Sequence, residues 1–462
     1  MKTLLKATLL LIVAGLCALP ANAVGVSING KAVRVNDYGD YSYVVTHAKA
    51  PLKVSVDDFG KDLTLDVSPH SRGVKCKVAN GKAGFKIKRQ GHYIVTFSDR
   101  KKLFIFAEDA PATPQGLNVL QASGMVADGK TNVTKALQSL IDANAGKTLI
   151  FPQGTYLLSG LTLHSDTHLF LTEGATLKAD PDDIIYPDDG THAFVEILDA
   201  DNVSIRGNGV IDGNGQAIQK KGLPRRNILS VNSTNLTLED FFSINPARWN
   251  THILGCGKVD IKRVKLVNDW NLRNTDGFDP DCSSDVLIEN CFGHCGDDCV
   301  AIKTTTRMGG KARNLRNVTV RGCVFETKKS ALKVGTETCA DEMCGILFED
   351  NDVVESDRGM SMYVNDGTEL HDVVYRNNRF ERNYPDLQQR AYQFAVSKRH
   401  KDSKLGAIHD VLIENCRFEQ AFPNESKIDN RFSARLEVEF KGLILPEGKP
   451  VARPGSPKSI HQ

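Results

Sequence analysis

A chain of 462 residues with 25% charged residues and a net charge of +2 is long enough for two or three ordinary domains, or for one repeat domain with an appendage. Its Lys and Arg are scattered without aromatic-interleaved basic blocks, which argues against a nucleic-acid partner or a membrane-surface role. After the N-terminus, no segment reaches the roughly 20 apolar residues that span a bilayer, so no membrane insertion is expected.

The first residues read as a secretory signal. Lys2 and Lys6 form the positive region, Leu9 to Leu19 the apolar one, and Ala21-Asn22-Ala23 a small-residue cleavage site. Residues 1–23 are therefore expected to be removed, leaving a periplasmic or secreted chain that begins at Val24. Leu16 stands before Cys17 where a lipoprotein wants a small residue, which argues against lipid anchoring. Cys339 and Cys344, in a polar stretch of an exported chain, are the candidate disulfide. Cys291, Cys295 and Cys299 have a metal-like spacing, but Cys291 and Cys299 sit in apolar runs where cysteine packs as a small hydrophobe. No metal and no cofactor are expected.

Residues 24–109 read as a small β-sandwich of accessory character. Alternating runs such as Tyr41–Val45, Leu63–Val67 and Tyr93–Phe97 are separated by Gly- and Asp-rich turns. Ala110 to Gly116, with Pro111 and Pro114, reads as a linker. An amphipathic helix follows from about Asn132 to Ala143, capped by Thr131 or Asn132, with Val133, Ala136, Leu137, Leu140 and Ile141 on one face. Such a helix suits the open end of a solenoid, where strand edges and core are otherwise exposed.

From Thr148 the chain is strand-like and self-similar. A polar residue, an apolar one, any residue, an apolar one and two polar residues recur at Asn202–Gly207 and Asn235–Asp240. The unit returns around Val259, Val286, Val318, Ile346, Val373 and Val411, at intervals from Val203 of 33, 23, 27, 32, 28, 27 and 38 residues. Asp285–Cys291 and Asp410–Cys416 are the same seven residues. Repeats of this length mark a solenoid, and short strands broken by Asn and Gly favour a right-handed parallel β-helix over residues 110–462, with a polar tail after Lys441. The chain is thus read as all-β.

In such a helix the acids of the stretch from Asn271 to Lys303 gain meaning. Asp276 and Asp297 are 21 residues apart, about one coil, and Asp298 is adjacent. Neighbours on a strand face opposite sides, so Asp297 and Asp298 can serve one cleft only at a turn or bulge, which Gly296 permits. Acids crowded on one face repel, which raises at least one pKa and keeps a carboxylic acid protonated near neutral pH. One group can then protonate a leaving oxygen while another activates water, as glycoside hydrolysis requires. Asp and Asn also cap β-helix turns, and clustered acids also bind calcium, so spacing alone leaves both readings open.

Further stretches carry a family likeness. Gly209-Val210-Ile211-Asp212-Gly213-Asn214-Gly215, Asn245–His252, Asn274-Thr275-Asp276-Gly277 and Gly296-Asp297-Asp298 resemble glycoside hydrolase family 28, the polygalacturonase-like enzymes on a right-handed parallel β-helix, from about Gly116 to Phe440. The resemblance implies an inverting hydrolase acting on carbohydrate, with Asp297 as general acid and Asp276 and Asp298 activating water. Two motifs depart from the family. Ser330 stands where it has a histidine, and the stretch Asp357–Tyr363 carries Ser361, Met362 and Tyr363 where it has Arg-Ile-Lys. Losing those cations argues against simple polygalacturonate and leaves a neutral sugar open, or an anionic one held by Arg358, Lys303 or Lys333. Asn274 and His294 are further substrate-binding candidates, His294 equally a hydrogen-bonded turn residue. Trp249, Trp270 and Tyr363 are sugar platforms or packing residues.

The competing classes are a dextranase-like hydrolase of a neutral glucan, a β-helix polysaccharide lyase and a glycan-binding adhesin. A lyase wants a calcium cluster and a cationic base, and an adhesin has no need of the three aspartates together.

Overall fold

The computed structural model describes residues 24–185, 192–307, 309–430 and 432–446. The expected signal segment, and the tail beyond residue 446, lie outside them. The chain divides into two compact units at Asp109, with Pro69–Gly73 belonging to the second.

The first unit consists of two five-stranded sheets. Strand Leu52–Asp57 alternates buried and outward residues, and Lys82–Ile87 does the same. Period-two alternation of this kind gives each sheet one apolar face. Val54, Val56, Phe85, Ile87, Val95 and Ile105 fill the core between the sheets. Most strand pairs are antiparallel, but Lys102–Ala107 runs parallel to Tyr41–Thr46.

The second unit is a right-handed parallel β-helix built from sheets of 12, 11 and 10 strands. All eight repeat anchors fall in one column of the 12-stranded sheet. Val203 pairs with Leu236, Leu236 with Val259, Val259 with Val286, Val286 with Val318, Val318 with Ile346, Ile346 with Val373, and Val373 with Val411. Each is buried in one continuous core. Unequal intervals leave the register intact because the extra residues fall between strands.

Turn chemistry fixes the corners. Asn202, Asn235 and Asn317 sit at φ 57, 52 and 56°, a left-handed conformation that Asn tolerates better than most residues. Their side-chain amides donate to Asp166, Asp201 and Asp285 on the coil below, at 2.6, 2.5 and 2.9 Å. Inside, Asn378 Nδ2 donates to the Phe348 carbonyl at 2.8 Å, and Asn351 Nδ2 donates to the Val320 carbonyl at 3.0 Å. These bonds satisfy backbone groups at buried corners that would be costly to leave unpaired.

The helix at the start of this unit spans Thr134–Asp142, with Leu137 and Ile141 buried in the core. Asn132 Oδ1 accepts the Thr134 N–H at 3.1 Å. Among the described residues no helix is long and apolar enough to cross a membrane. All ten described cysteines are free, which corrects the expectation of a Cys339–Cys344 bridge. Cys344 lies on strand Glu342–Glu349 and Cys339 just before it, and each stays half-buried on its own. Cys291, Cys295 and Cys299 pack in the core as small apolar groups.

Candidate active site

Strand alternation decides which residues reach the outer face of the 10-stranded sheet. Phe278, Val300, Ile302, Leu332, Val334, Met360 and Met362 join the core, so Asp279, Asp281, Lys303, Lys333, Ser361 and Tyr363 take the opposite face. At the strand starts the alternation slips by one residue. Cys299 joins Val300 in the core, and Ala331 joins Leu332. The slip turns Asp298 outward to Lys333 and Ser330 to Ser361.

Asp276 lies one coil below Asp298, not below Asp297 as the 21-residue spacing suggests. The Gly277 N–H donates to the Asp298 carbonyl at 2.8 Å, and Phe278 pairs with Val300. The chain bends at Gly296, which seats Asp297 over Thr275 through an N–H to carbonyl bond of 3.4 Å. Gly277 and Gly296 are required by close approach, since neither has positive φ. A Cβ on Gly277 would lie 2.4 Å from the Cys299 carbonyl oxygen, and one on Gly296 2.5 Å from Thr275 Oγ1. Gly277→Ala is expected to lower stability by about 1–3 kcal/mol through overpacking, read as a fall in melting temperature. An unchanged melt would show that the two coils can separate there.

The carboxylates are held by opposite charges. The Ser330 N–H donates to Asp298 Oδ1 at 2.8 Å, and Lys333 Nζ donates to Oδ2 at 2.5 Å. Lys303 Nζ lies 2.8 Å from Asp279 Oδ1 and 3.5 Å from Asp276 Oδ2. Asp297 Oδ1 accepts the Asp298 N–H at 3.0 Å, and its carbonyl accepts the Thr327 hydroxyl. Asp276, Asp279 and Asp298 are buried, while Asp297 keeps partial exposure.

Burial, reinforced by Asp279, pushes the Asp276 carboxyl up to about 8. Burial lifts Asp279 to about 6. Burial and then the neighbouring Asp298 charge raise Asp297 to about 7. Burial also pulls Asp298 upward, but Lys333 and Arg358 outweigh it and hold that carboxyl below the ordinary value. Groups this close titrate as a set. The set keeps protons near neutrality, with Asp298 its ionised member and Asp297 a protonated acid that solvent can reach.

The other residues singled out from sequence are distributed around this centre. Arg358 pairs with Ser330 in the next coil, and Tyr363 donates its hydroxyl to Gln393 at 3.0 Å. Trp249 is 5% exposed, its ring 3.8 Å from Lys303 Nζ and about 5 Å from Arg226 and Arg248, so packing and cation–π contact occupy it. His294 lies on a strand rather than at a turn. It is buried 2.6 Å from Glu326 Oε1, with the Trp270 ring stacked on it at 4.4 Å. Asn274 is exposed and occupies a left-handed turn at φ 56°. Ser330 and Ser361 are both buried, with their hydroxyls 3.0 Å apart.

Several groups of the cluster escaped the sequence reading. Asp279 and Asp281 stand two apart in Phe-Asp-Pro-Asp, a period-two signal that was available. Asp281 Oδ2 lies 2.9 Å from His252 Nε2 and accepts the Thr305 hydroxyl at 2.7 Å. Burial, with Asp281 pulling the other way, lowers His252 to about 4, so its ring is neutral. Arg226, buried against Trp249, had no periodic signal.

A family model, Glycosyl hydrolases family 28, matches residues 143–452. A polygalacturonase from Gossypium barbadense is 27% identical over 220 residues, covering 44% of this chain and 53% of the relative. The chain thus spans about half the length of the curated relatives it matches. Among solved structures, a hyperthermoactive exopolygalacturonase from Thermotoga maritima aligns over 74% of this chain and 90% of its own, at TM-score 0.59 and 19% identity. Dex49A from Penicillium minioluteum aligns over 91% and 87%, at 0.62 and 14%. At these identities the structures speak for the fold alone.

Proposed function

Because the chain belongs to glycosyl hydrolase family 28, we propose that it is an exported, inverting glycoside hydrolase of a pectin-related polysaccharide or oligosaccharide. Residues 110–462 form the catalytic domain, 24–109 an accessory β-sandwich, and the mature chain acts in the periplasm or outside the cell.

Asp297 protonates the glycosidic oxygen. Asp298, kept ionised by Lys333 at 2.5 Å, takes the proton of the attacking water. Asp276, one coil away and raised to about 8, keeps its proton near neutrality and orients that water. The observation that carries this reading is the contrast between adjacent carboxyls, Asp297 raised to about 7 and Asp298 lowered. A pair of carboxyls whose surroundings push their pKa values apart supplies an acid and a base at one pH. An inverting centre needs room for water between them.

The buried Arg226, with Arg248 and Arg307 also close to the Trp249 ring, favours an acidic sugar, since guanidinium groups suit carboxylates. A second reading, a dextranase-like enzyme on a neutral glucan, is favoured by the Ser330–Ser361 pair. Hydroxyls there hold no charge against a sugar carboxylate. Defined acidic and neutral oligosaccharides decide between them. Reducing ends released from galacturonate-containing oligomers, with the first-formed anomer inverted by nuclear magnetic resonance, are expected. Turnover of neutral oligomers alone replaces the first reading with the second. An unsaturated product absorbing in the ultraviolet overturns both in favour of a lyase.

A further inference from the structure

On the outer face of the 12-stranded sheet, a different sheet from the one that carries the acids, Glu342, Cys344 and His371 converge. One donor atom from each lies within 4.8 Å of the others. Their meeting follows from the fold. Glu342 and Cys344 are two apart on strand Glu342–Glu349, with Met343 between them in the core. The parallel register sets His371 directly over Cys344.

The surroundings orient each group. His371 Nδ1 lies 2.8 Å from Asp372 Oδ2, and its Nε2 lies 3.3 Å from Glu342 Oε1. Arg316 Nη2 donates to Glu342 Oε2 at 2.5 Å, which leaves Oε1 turned toward the imidazole. The next coil repeats the pattern. His409 lies between Asp410 and Glu369 at 2.6 and 2.9 Å, its ring stacked on His371 at 5.2 Å.

We propose that Glu342, Cys344 and His371 bind a transition-metal dication of the zinc class. Thiolate, imidazole and carboxylate together are the donor set of Zn²⁺ and its analogue Co²⁺, whereas calcium and magnesium take oxygen alone. With Nδ1–H donating to Asp372, the lone pair of Nε2 faces the other two donors, the arrangement that orients metal-bound histidines. Three protein ligands leave a fourth position for water. On binding, the Cys344 S–H bond breaks, the sulfur keeps the electron pair as thiolate and the proton goes to solvent. All three residues are half-buried and so open to an ion in solution. The ion clamps two successive coils and takes no part in hydrolysis.

The test is a titration of the metal-free full chain with Co²⁺ alone, followed by its sulfur-to-cobalt absorption band in the near ultraviolet, with Zn²⁺ as competitor. One equivalent is expected to bring up the band, and zinc to remove it. Cys344→Ser is expected to abolish the band while Cys339→Ser keeps it. Asp372→Asn, which spares all three ligands, is expected to weaken binding about 10- to 100-fold. Absence of the band in the unaltered chain overturns the site, as does an undiminished band in Cys344→Ser. Melting curves of the metal-free variants confirm that they fold, and Asp372→Asn decides the matter if Cys344→Ser does not.

Discussion

Asp297→Asn is expected to slow hydrolysis by about 100- to 10,000-fold, the range a positioned general acid contributes, with an unchanged circular dichroism spectrum. Asparagine keeps the shape and the oxygen that accepts the Asp298 N–H at 3.0 Å, but has no carboxylic proton to give. The sign of the pH effect follows from the raised pKa. Folding lifts this carboxyl from 3.8 to about 7, so the native state binds the proton more tightly than the unfolded chain. Its contribution to stability is complete below the unfolded value and is lost as pH rises through the folded one. The asparagine variant lacks that loss and should melt no lower than the unaltered protein above neutrality. The unaltered enzyme should lose rate as pH rises past about 7, as the proposed acid deprotonates. Full activity in the variant would remove Asp297 from the mechanism.

Lys333→Met is expected to cost nearly as much activity by a different route. Lys333 Nζ holds Asp298 Oδ2 at 2.5 Å within a buried site, and removing one partner of a buried pair costs about 3–5 kcal/mol if the other stays charged. Asp298 escapes that penalty by taking up a proton, and so loses the role of base proposed for it. The acidic limb of the pH–rate profile should therefore move upward, with kcat falling and KM changing little. A profile identical to that of the unaltered enzyme would show that Lys333 does not set the charge of Asp298. An effect confined to KM would instead make Lys333 a sugar contact.

Both variants rest on a fold whose periodic part was legible in the sequence. The anchors Val203 to Val411 are apolar at fixed offsets from turn-forming Asn and Asp, and turn chemistry and alternation are local properties. The same local rules located Asp297 and Asp298 at a bend before a strand. They failed by one residue on Asp276, because register between coils depends on where the chain slips. That slip, at Cys299–Val300 and Ala331–Leu332, is made by two successive inward side chains and has no distinct composition. Lys303 and Lys333 read as candidate grips on an anionic sugar, and their partners Asp279 and Asp298 stayed hidden because they are set by stacking over long sequence distances. His294 looked like a turn residue among glycines, and only the coil above it supplies Glu326. Non-local pairing was the hidden part, and in a solenoid nearly every contact of the cleft is of that kind.

The column from Val203 to Val411 bears on how such an enzyme changes over generations. Its intervals vary from 23 to 38 residues without disturbing a single pairing of the column, so residues gained or lost between strands leave the stacked register as it is. A loop between strands can therefore grow or shrink while the paired column stays in place.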